Sequence, residues 1–165
     1  YWDSTEDADA LYLKNQRQWV GRYLRENLGG NLDIYRNAAF LTLDTDDCYG
    51  NVHPRDAQIS ESVLIVCAEI QRQLTEGQLE LQEDECIAMT KQAFSRIITN
   101  CRNKWKNAWS KEYCEMDEDR LVETILKYMT DWMMVRSKEE RITVLPAVGR
   151  LAGQYPSDYK GDGEE

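Results

Sequence analysis

The sequence predicts an all-α protein: a compact antiparallel bundle of five to seven helices, with one irregular segment at 31–56 and a mobile C-terminal tail. Two observations favour this class. Apolar residues recur at the 3.6-residue spacing of a helix in several long segments. The chain also contains only 3 prolines and 9 glycines, which is fewer breaks than a turn-rich β-sandwich needs. We expect one helical domain over 1–155 and a flexible acidic tail at 156–165.

The first predicted helix covers 4–28. Ser4 can cap its first turn, and Gly29–Gly30 supplies a left-handed stop. Its apolar face is formed by Ala8, Leu11, Tyr12, Trp19, Val20, Tyr23, Leu24 and Leu28.

The next stretch is ambiguous. Residues 31–43 fit a short helix, a buried extended run, or one followed by the other, and the residues from Asp44 to Pro54 are predicted to form a loop.

Two further helices are predicted in the middle of the chain. The first begins at Ala57 and ends at Gly77, with Val63, Val66, Cys67 and Ile70 on its apolar face. The second begins near Glu83, where three consecutive acidic residues would suit the positive end of a helix dipole. It is expected to continue to about Tyr113 or to bend near 100–103.

The last part of the chain is also predicted to be helical. Asp117 caps a helix over 117–135 whose apolar face carries Leu121, Val122, Ile125, Met129, Trp132 and Met133. Ser137 and Glu140 have the spacing of a capping box, which predicts a final helix that Pro146 interrupts or restarts.

The composition restricts the possible functions. The chain has 30 acidic and 20 basic residues and a formal charge of −10, which disfavours general binding to nucleic acid or to anionic membranes. No segment is long and apolar enough to span a membrane. The five cysteines include no CxxC pair, and Cys67 and Cys101 fall on predicted apolar faces. These features favour an intracellular and cytoplasmic protein with free thiols. Because the chain starts at Tyr1 and not at Met, secretion stays compatible with the sequence.

Catalytic motifs are missing from the sequence. His53 is the only histidine, so metal sites and acid–base schemes that need two histidines are excluded. No GxSxG, Walker A or GxGxxG motif occurs. We therefore expect a non-enzymatic protein without a cofactor. A hydrolase built from scattered carboxylates stays an alternative, with a perturbed carboxyl pKa in a pocket as its sign.

The acidic loop at 44–56 is a candidate calcium site. Placing Gly50 at the sixth position of an EF-hand loop brings Asp47 to the third position and Asp56 to the twelfth. Tyr49 then occupies the fifth position, where tyrosine is a poor ligand, and the twelfth normally carries glutamate. A solvated turn is the simpler interpretation. The tail segment 158–163 copies only the opening of such a loop.

A basic window at 91–111 is a candidate binding surface, because it contains six cationic side chains and no acid in an otherwise acidic chain. Its central residues are Lys104, Trp105, Lys106 and Trp109. A cationic strip beside aromatic rings can bind an acidic protein surface, phosphate or single-stranded nucleic acid. The alternative is charge balance with neighbouring acidic helices, and among the partners an acidic protein is favoured over nucleic acid.

The helix at 117–135 offers a second candidate surface. Tyr128 and Met134 lie off its apolar face, so apolar residues cover more than one side. Either the helix is surrounded by the core, or its second side lines a groove, and methionine-rich grooves often receive amphipathic helices. The candidate residues are Tyr128, Met129, Trp132, Met133 and Met134.

Taken together, these features favour a protein–protein interaction module: a helical bundle that presents an apolar groove or a Trp/Lys-bearing face to a partner. The expected partner is another protein, either an amphipathic helix or an acidic surface, and a homodimer stays open. The alternatives are a calcium-binding regulator that uses the 44–56 loop and a secreted four-helix cytokine-like ligand. Calcium calorimetry tests the first alternative, and a count of free thiols tests the second.

Overall fold

The computed structural model describes residues 1–2, 7–44 and 51–153, which form parts of two compact units at 1–52 and 53–165. The described residues of the first unit form two helices and a hairpin: α1 (Ala8–Asn15), α2 (Arg17–Leu28), β1 (Gly30–Ile34) and β2 (Ala39–Leu43). The predicted tail at 156–165 lies outside the described residues, so the proposed division into domain and tail stays a prediction.

The single helix predicted at 4–28 is broken at Gln16 into α1 and α2. Asp7 caps α1, because its carboxylate accepts hydrogen bonds from the backbone N–H groups of Asp9 and Ala10 at 2.9 and 3.1 Å. The predicted cap, Ser4, lies outside the described residues. Gly29 ends α2 in the left-handed conformation with φ 60°, and the predicted stop is confirmed.

The ambiguous segment 31–43 forms an antiparallel β-hairpin. Strand β1 pairs with β2, and Gly30 lies opposite Leu43. A Cβ at position 30 would come within 2.8 Å of the Leu41 side chain and 3.0 Å of the Thr42 carbonyl oxygen, so glycine allows the close approach of the strands there.

The second unit contains four helices, three strands and a short 3-10 helix among its described residues. In chain order these are α3 (Gln58–Thr75), β3 (Ile87–Thr90), α4 (Lys91–Lys104), α5 (Lys111–Glu115), α6 (Glu118–Asp131), β4 (Val135–Lys138), β5 (Arg141–Val144) and the 3-10 helix Pro146–Gly149. The predicted helix at 57–77 is confirmed as α3, and Asp117 is confirmed as the cap of α6.

The three strands form an antiparallel sheet in the order β3-β5-β4. The hairpin β4–β5 follows α6, and its second strand pairs with β3, which lies between α3 and α4 along the chain. Helices α3, α4 and α6 pack against one another, and α4 and α6 also contact this sheet.

The predicted all-α bundle is wrong, because two antiparallel sheets form part of the fold and the described chain is mixed α/β. The core of the second unit combines both kinds of element. Its fully buried side chains include Phe94 and Ile98 of α4, Ile125 of α6 and Ile142 of β5. The apolar faces of α3, α4 and α6 therefore pack against one another, and those of α4 and α6 also against the sheet, as in other layered folds.

The helix predicted from 83 is wrong at its start. Residues 87–90 form strand β3, in which Ile87 and Met89 are buried and Ile87 lies opposite Val144. Glu85 has a φ of 64°, a left-handed conformation that no helix interior tolerates. The helix proper is α4, which Thr90 caps through its side-chain oxygen and which ends at Lys104, well short of Tyr113.

The final predicted helix is also wrong. Ser137 lies in β4, and Glu140 follows Glu139 in the turn of the β4–β5 hairpin. Glu139 has a φ of 54°, which suits a tight hairpin turn and not the first turn of a helix. The preceding helix α6 likewise ends at Asp131 rather than 135, and Met133 with φ 53° turns the chain into β4.

No helix within the described ranges is long and apolar enough to cross a membrane.

The described cysteines Cys67, Cys86, Cys101 and Cys114 are free thiols, of which the first three are buried. Cys48 lies outside the described residues.

Candidate functional site

A groove of about 470 Å³ lies between α3 and the C-terminal half of α4. We call it the α3–α4 groove. It is lined by Ile65, Ala68, Glu69, Arg72, Asn100, Cys101, Lys104, Trp105 and Gly153. It therefore includes two of the residues that the sequence singled out, Lys104 and Trp105.

One side of the groove is formed by the end of α4. Trp105 is half-buried where the helix ends, and the Lys104 ammonium lies 5.4 Å from the centre of its indole ring. A cation over an aromatic face is attracted by the negative charge density of the ring. This contact holds the lysine beside the apolar part of the groove.

The opposite side is formed by charged residues of α3. Arg72 donates hydrogen bonds to both carboxylate oxygens of Glu69, at 2.8 and 2.6 Å. Gln73 donates a third hydrogen bond to the same carboxylate at 2.8 Å. The hydrogen bonds from Arg72 are the main reason that the pKa of Glu69 lies below its usual value. Glu69 is thus a fixed negative charge and not a proton donor near neutral pH.

The floor of the groove is apolar. Ile65 and Ala68 contribute aliphatic surface from α3, and Cys101 contributes its side chain from α4. Burial raises the pKa of the Cys101 thiol to about 12. The thiol is therefore protonated near neutral pH and lacks the thiolate that a cysteine nucleophile requires. The arrangement suits binding of an apolar side chain between fixed charges of both signs.

Two other residues of the basic window do not line this groove. Trp109 is only 4% exposed and packs in the core with its ring edge-on to Tyr113. Lys106 is exposed, and its carbonyl oxygen lies 3.2 Å from the Cys114 thiol. The groove is thus lined by Lys104 and Trp105 but by neither Lys106 nor Trp109.

The candidate residues at 128–134 do not form one groove. Met129 and Met134 are fully buried in the core. Met133 is 43% exposed, whereas Tyr128 and Trp132 are half-buried and pack against each other with ring centres 6.3 Å apart. This methionine-rich segment is therefore mainly a core element that turns into β4.

His53 packs beside that aromatic pair. Its ring centre lies 5.6 Å from Tyr128 and 5.5 Å from Trp132. Its Nδ1 is 3.2 Å from the Ser60 hydroxyl oxygen, but Ser60 is fully buried. A serine without access to solvent cannot reach a substrate. The serine–histidine contact therefore joins the start of α3 to α6.

The exposed surface of α6 is acidic. Its first turn carries Glu118 and Asp119, directly after the capping residue Asp117. Over 118–131 the helix has four acidic and two basic side chains. These acidic side chains would repel the phosphates of a nucleic acid.

The calcium-loop candidate lies mostly outside the described residues, since 45–50 are among those left undescribed. The segment follows strand β2, whereas an EF-hand loop lies between two helices. Within the described ranges no group of three or more His, Cys, Asp or Glu side chains could hold a metal ion.

The four-helix ligand alternative required an all-α bundle, which the two sheets contradict.

Comparison with known families gives one match. The family model described as "Protein of unknown function (DUF2398)" matches residues 1–154. The chain belongs to the DUF2398 family. No curated protein matches the chain. The DUF2398 match includes residues of both compact units. Belonging to the family therefore does not indicate which unit carries the functional site.

The α3 side of the groove was not predicted from the sequence. Ile65, Ala68 and Arg72 lie off the apolar face that was used to predict α3. The sequence did carry a signal for this side of the groove: Ile65 and Ala68 are apolar residues off that face, and the cation of Arg72 follows one turn after Ala68. The pairing of these residues with Lys104 depends on how α3 packs against α4, and no local spacing reports that packing.

Proposed function

We propose that the chain is a non-enzymatic protein–protein interaction module that binds a partner protein in the α3–α4 groove. One observation carries the proposal: an open apolar floor lies between a fixed lysine–tryptophan pair and a fixed glutamate–arginine pair. An apolar side chain of a partner can be buried on that floor, while the charges on both sides select its neighbours.

The shape of the groove favours a protein segment over a small molecule. Small-molecule sites enclose most of the ligand surface. This groove is a surface cleft bounded by two helices, which suits an amphipathic helix or an extended segment. Lys104 and the nearby Lys106 favour a partner with an acidic surface. A second copy of the chain is a further candidate partner.

The charge of α6 supports a protein partner over nucleic acid. A surface that binds DNA needs cations near the phosphates. The acidic first turn of α6 and the formal charge of −10 oppose such binding. We also propose an intracellular site of action, because the described cysteines are free thiols, as in most proteins of reducing compartments.

Ala68→Arg tests the proposal, since it fills the groove from α3 without removing a core side chain. Gln92→Arg is the matched control, because it adds the same charge at an exposed position near the start of α4. Proteins captured from the source cells by the three forms are compared by quantitative mass spectrometry. The affinity of each captured partner is then measured with purified proteins.

We expect a partner that binds the wild type and Gln92→Arg equally and binds Ala68→Arg at least about tenfold more weakly, a difference of about 1.4 kcal/mol. Circular dichroism and urea unfolding establish that both variants are folded. If every captured partner binds Ala68→Arg as tightly as the wild type, the groove is not the binding site. If the captured material is nucleic acid, the proposed function is wrong.

A further inference from the structure

The first unit leaves large apolar side chains in contact with solvent. Those with more than two-fifths of their surface exposed are Leu11, Tyr12, Trp19, Tyr23, Tyr35 and Leu41. Trp19 and Tyr23 are 58% and 52% exposed, and their rings stack at 5.6 Å with an interplanar angle of 19°. They lie one turn apart on α2 and form a continuous aromatic surface. Exposed apolar surface of this extent commonly marks an interaction site.

Cationic side chains surround this aromatic pair. A shallow cavity of about 280 Å³ at the junction of α1 and α2 is lined by Lys14, Arg17, Arg22 and Trp19, together with neutral polar residues. Residues 14–25 contain four cationic side chains and no acidic one, although the whole chain carries −10. The cavity thus has a local positive charge, although the net charge of the whole chain is negative.

Two of these cations have no internal partner in the described part of the chain. Neither Arg17 nor Arg22 forms an ion pair or a side-chain hydrogen bond with a described residue. Lys14, by contrast, donates to the Arg36 carbonyl oxygen at 3.1 Å and lies 5.4 Å from the centre of the Trp2 ring. The lysine is held in place, while both guanidinium groups are available to an external anion.

The chemistry of these side chains defines the ligand. Guanidinium groups bind carboxylates in a bidentate geometry, which is stronger and more specific than a contact between point charges. Stacked indole and phenol rings bury apolar or aromatic side chains. A peptide that alternates carboxylates with apolar residues matches both features.

Charge distribution favours such a peptide over nucleic acid. Exposed Asp7 and Asp9 at the start of α1, and Glu26 near the end of α2, bound the cationic region on both sides. A polyanion with regularly spaced phosphates would meet these acids, and the net charge of −10 would repel it further. A short peptide with two or three carboxylates requires only the cations that are present.

We propose that the surface formed by Lys14, Arg17, Trp19, Arg22 and Tyr23 binds an acidic, apolar peptide segment of a partner protein. Carboxylates of the peptide pair with Arg17 and Arg22, and its apolar side chains cover the Trp19–Tyr23 stack. This second binding surface lies in the first unit, separate from the α3–α4 groove of the second.

The test uses the full chain and a fluorescein-labelled peptide of twelve residues that repeats Glu-Leu-Asp-Phe. Its control replaces the acids with Gln and Asn. Anisotropy gives the dissociation constant, and the indole signal of Trp19, assigned with Trp19→Phe, reports the location of binding by NMR. The protein variants are Arg17→Gln with Arg22→Gln, and a control pair, Arg96→Gln with Arg120→Gln, which removes two exposed cations of the second unit.

We expect the acidic peptide to shift the Trp19 indole signal and to bind the Arg17/Arg22 variant at least about tenfold more weakly, as for the loss of charge-assisted hydrogen bonds. The control pair should change the dissociation constant less than about twofold, and higher salt should weaken binding to the wild type. Ala68→Arg should leave this binding unchanged, so failure here is distinguishable from failure of the groove proposal.

Four results of the binding experiments overturn the proposal: no shift of the Trp19 signal, equal binding of the neutral peptide, equal losses in both paired variants, or tighter binding of a twelve-residue oligothymidine at the same residues. Light scattering tests a second copy as the occupant. If Arg17→Gln with Arg22→Gln converts a dimer to a monomer while peptide affinity stays constant, the surface is a self-association interface and the peptide proposal is wrong.

Discussion

The Nδ1 atom of His53 lies 3.0 Å from the hydroxyl oxygen of Tyr128, although the two residues are 75 positions apart in the sequence. Ser60 approaches the same nitrogen at 3.2 Å, and its oxygen also accepts the backbone N–H of Arg55. Both hydroxyls can donate to an unprotonated Nδ1. Burial lowers the pKa of His53, so the neutral ring is the form that joins the start of α3 to α6.

Stability should therefore depend on pH through His53. Its folded-state pKa lies below the usual 6.5, so the unfolded chain binds more protons between the two values. This contribution to the free energy of unfolding is fully present above the unfolded pKa. It is lost as the pH falls through that value toward the folded pKa. We expect the urea midpoint to decrease between about pH 7.5 and about pH 5.5.

His53→Gln isolates this effect, because the chain has no other histidine. Carboxyl groups that begin to titrate near the lower pH affect both proteins alike. The variant should be less sensitive to pH than the wild type over the same interval. Parallel pH profiles for the two proteins would show that His53 makes no such contribution.

Two glycines of the first unit should respond oppositely to the same substitution. Gly21 lies inside α2 with no atom within 4 Å of an added Cβ, so Gly21→Ala should stabilise the helix by about 0.5–1 kcal/mol. A Cβ added at Gly29 would likewise have no atom within 4 Å. However, Gly29 has a φ of 60°, which a residue with a side chain rarely adopts, so Gly29→Ala should destabilise the helix by about 1 kcal/mol.

Hydrogen exchange of the α2 amides is the appropriate measurement for this pair, because it reports the helix itself rather than the whole chain. Exchange at 17–28 should slow in Gly21→Ala and accelerate in Gly29→Ala. Changes of the same sign in both variants would contradict the assigned backbone conformations.

Part of the fold could be predicted from local sequence signals. The apolar face of α3, the stop at Gly29 and the cap at Asp117 each depend on neighbouring residues, and all three are confirmed. Strand β3 could not be predicted in this way. Ile87 also fits the apolar spacing of α4, so its assignment depends on pairing with Val144, which lies far along the chain.

The same limit applies to the candidate site. Lys104 and Trp105 were identifiable as a cation beside an aromatic residue in an acidic chain. The surface of α3 that faces them could not be identified from the sequence. Its Glu69–Arg72 pair has the spacing of an ordinary i,i+3 helix pair, and only the packing of α3 against α4 makes it one side of a groove. Met134 shows the opposite error, because it lies off the predicted apolar face and so indicated a groove, but it is fully buried in the core.

The cap of α6 should make a measurable contribution to stability. The Asp117 carboxylate accepts hydrogen bonds from the backbone N–H groups of Asp119 and Arg120 at 3.0 and 3.4 Å. Asp117→Ala should lower the free energy of unfolding by about 1 kcal/mol. Asp117→Asn should keep most of the stability that the cap provides, because asparagine also caps helices well. Urea unfolding measures both differences.

Glu123→Ala is the control for this pair, since it removes one negative charge from an exposed position of the same helix. It should change the unfolding free energy by less than about 0.5 kcal/mol. Equal losses for Asp117→Ala and Glu123→Ala would mean that net charge, and not the cap, determines the effect.

The thiols should differ in reactivity in the folded protein. Burial raises the pKa values of Cys67 and Cys101 to about 12 each, and both side chains are almost fully covered. Cys114 is only half-buried, near the carbonyl oxygens of Lys106 and Trp109. Because alkylation requires an accessible thiolate, iodoacetamide should modify Cys114 first, and Cys67 and Cys101 only through transient opening of the core.

Peptide mass spectrometry resolves each site, so the rate at Cys48 is recorded separately and does not enter the comparison. Adding urea near the unfolding midpoint should increase the rates at Cys67 and Cys101 much more than the rate at Cys114, since only the former depend on opening of the core. Modification of Cys101 at the rate of Cys114 in native buffer would show that the Cys101 thiol is not buried, which would contradict both its packing in the core and its raised pKa.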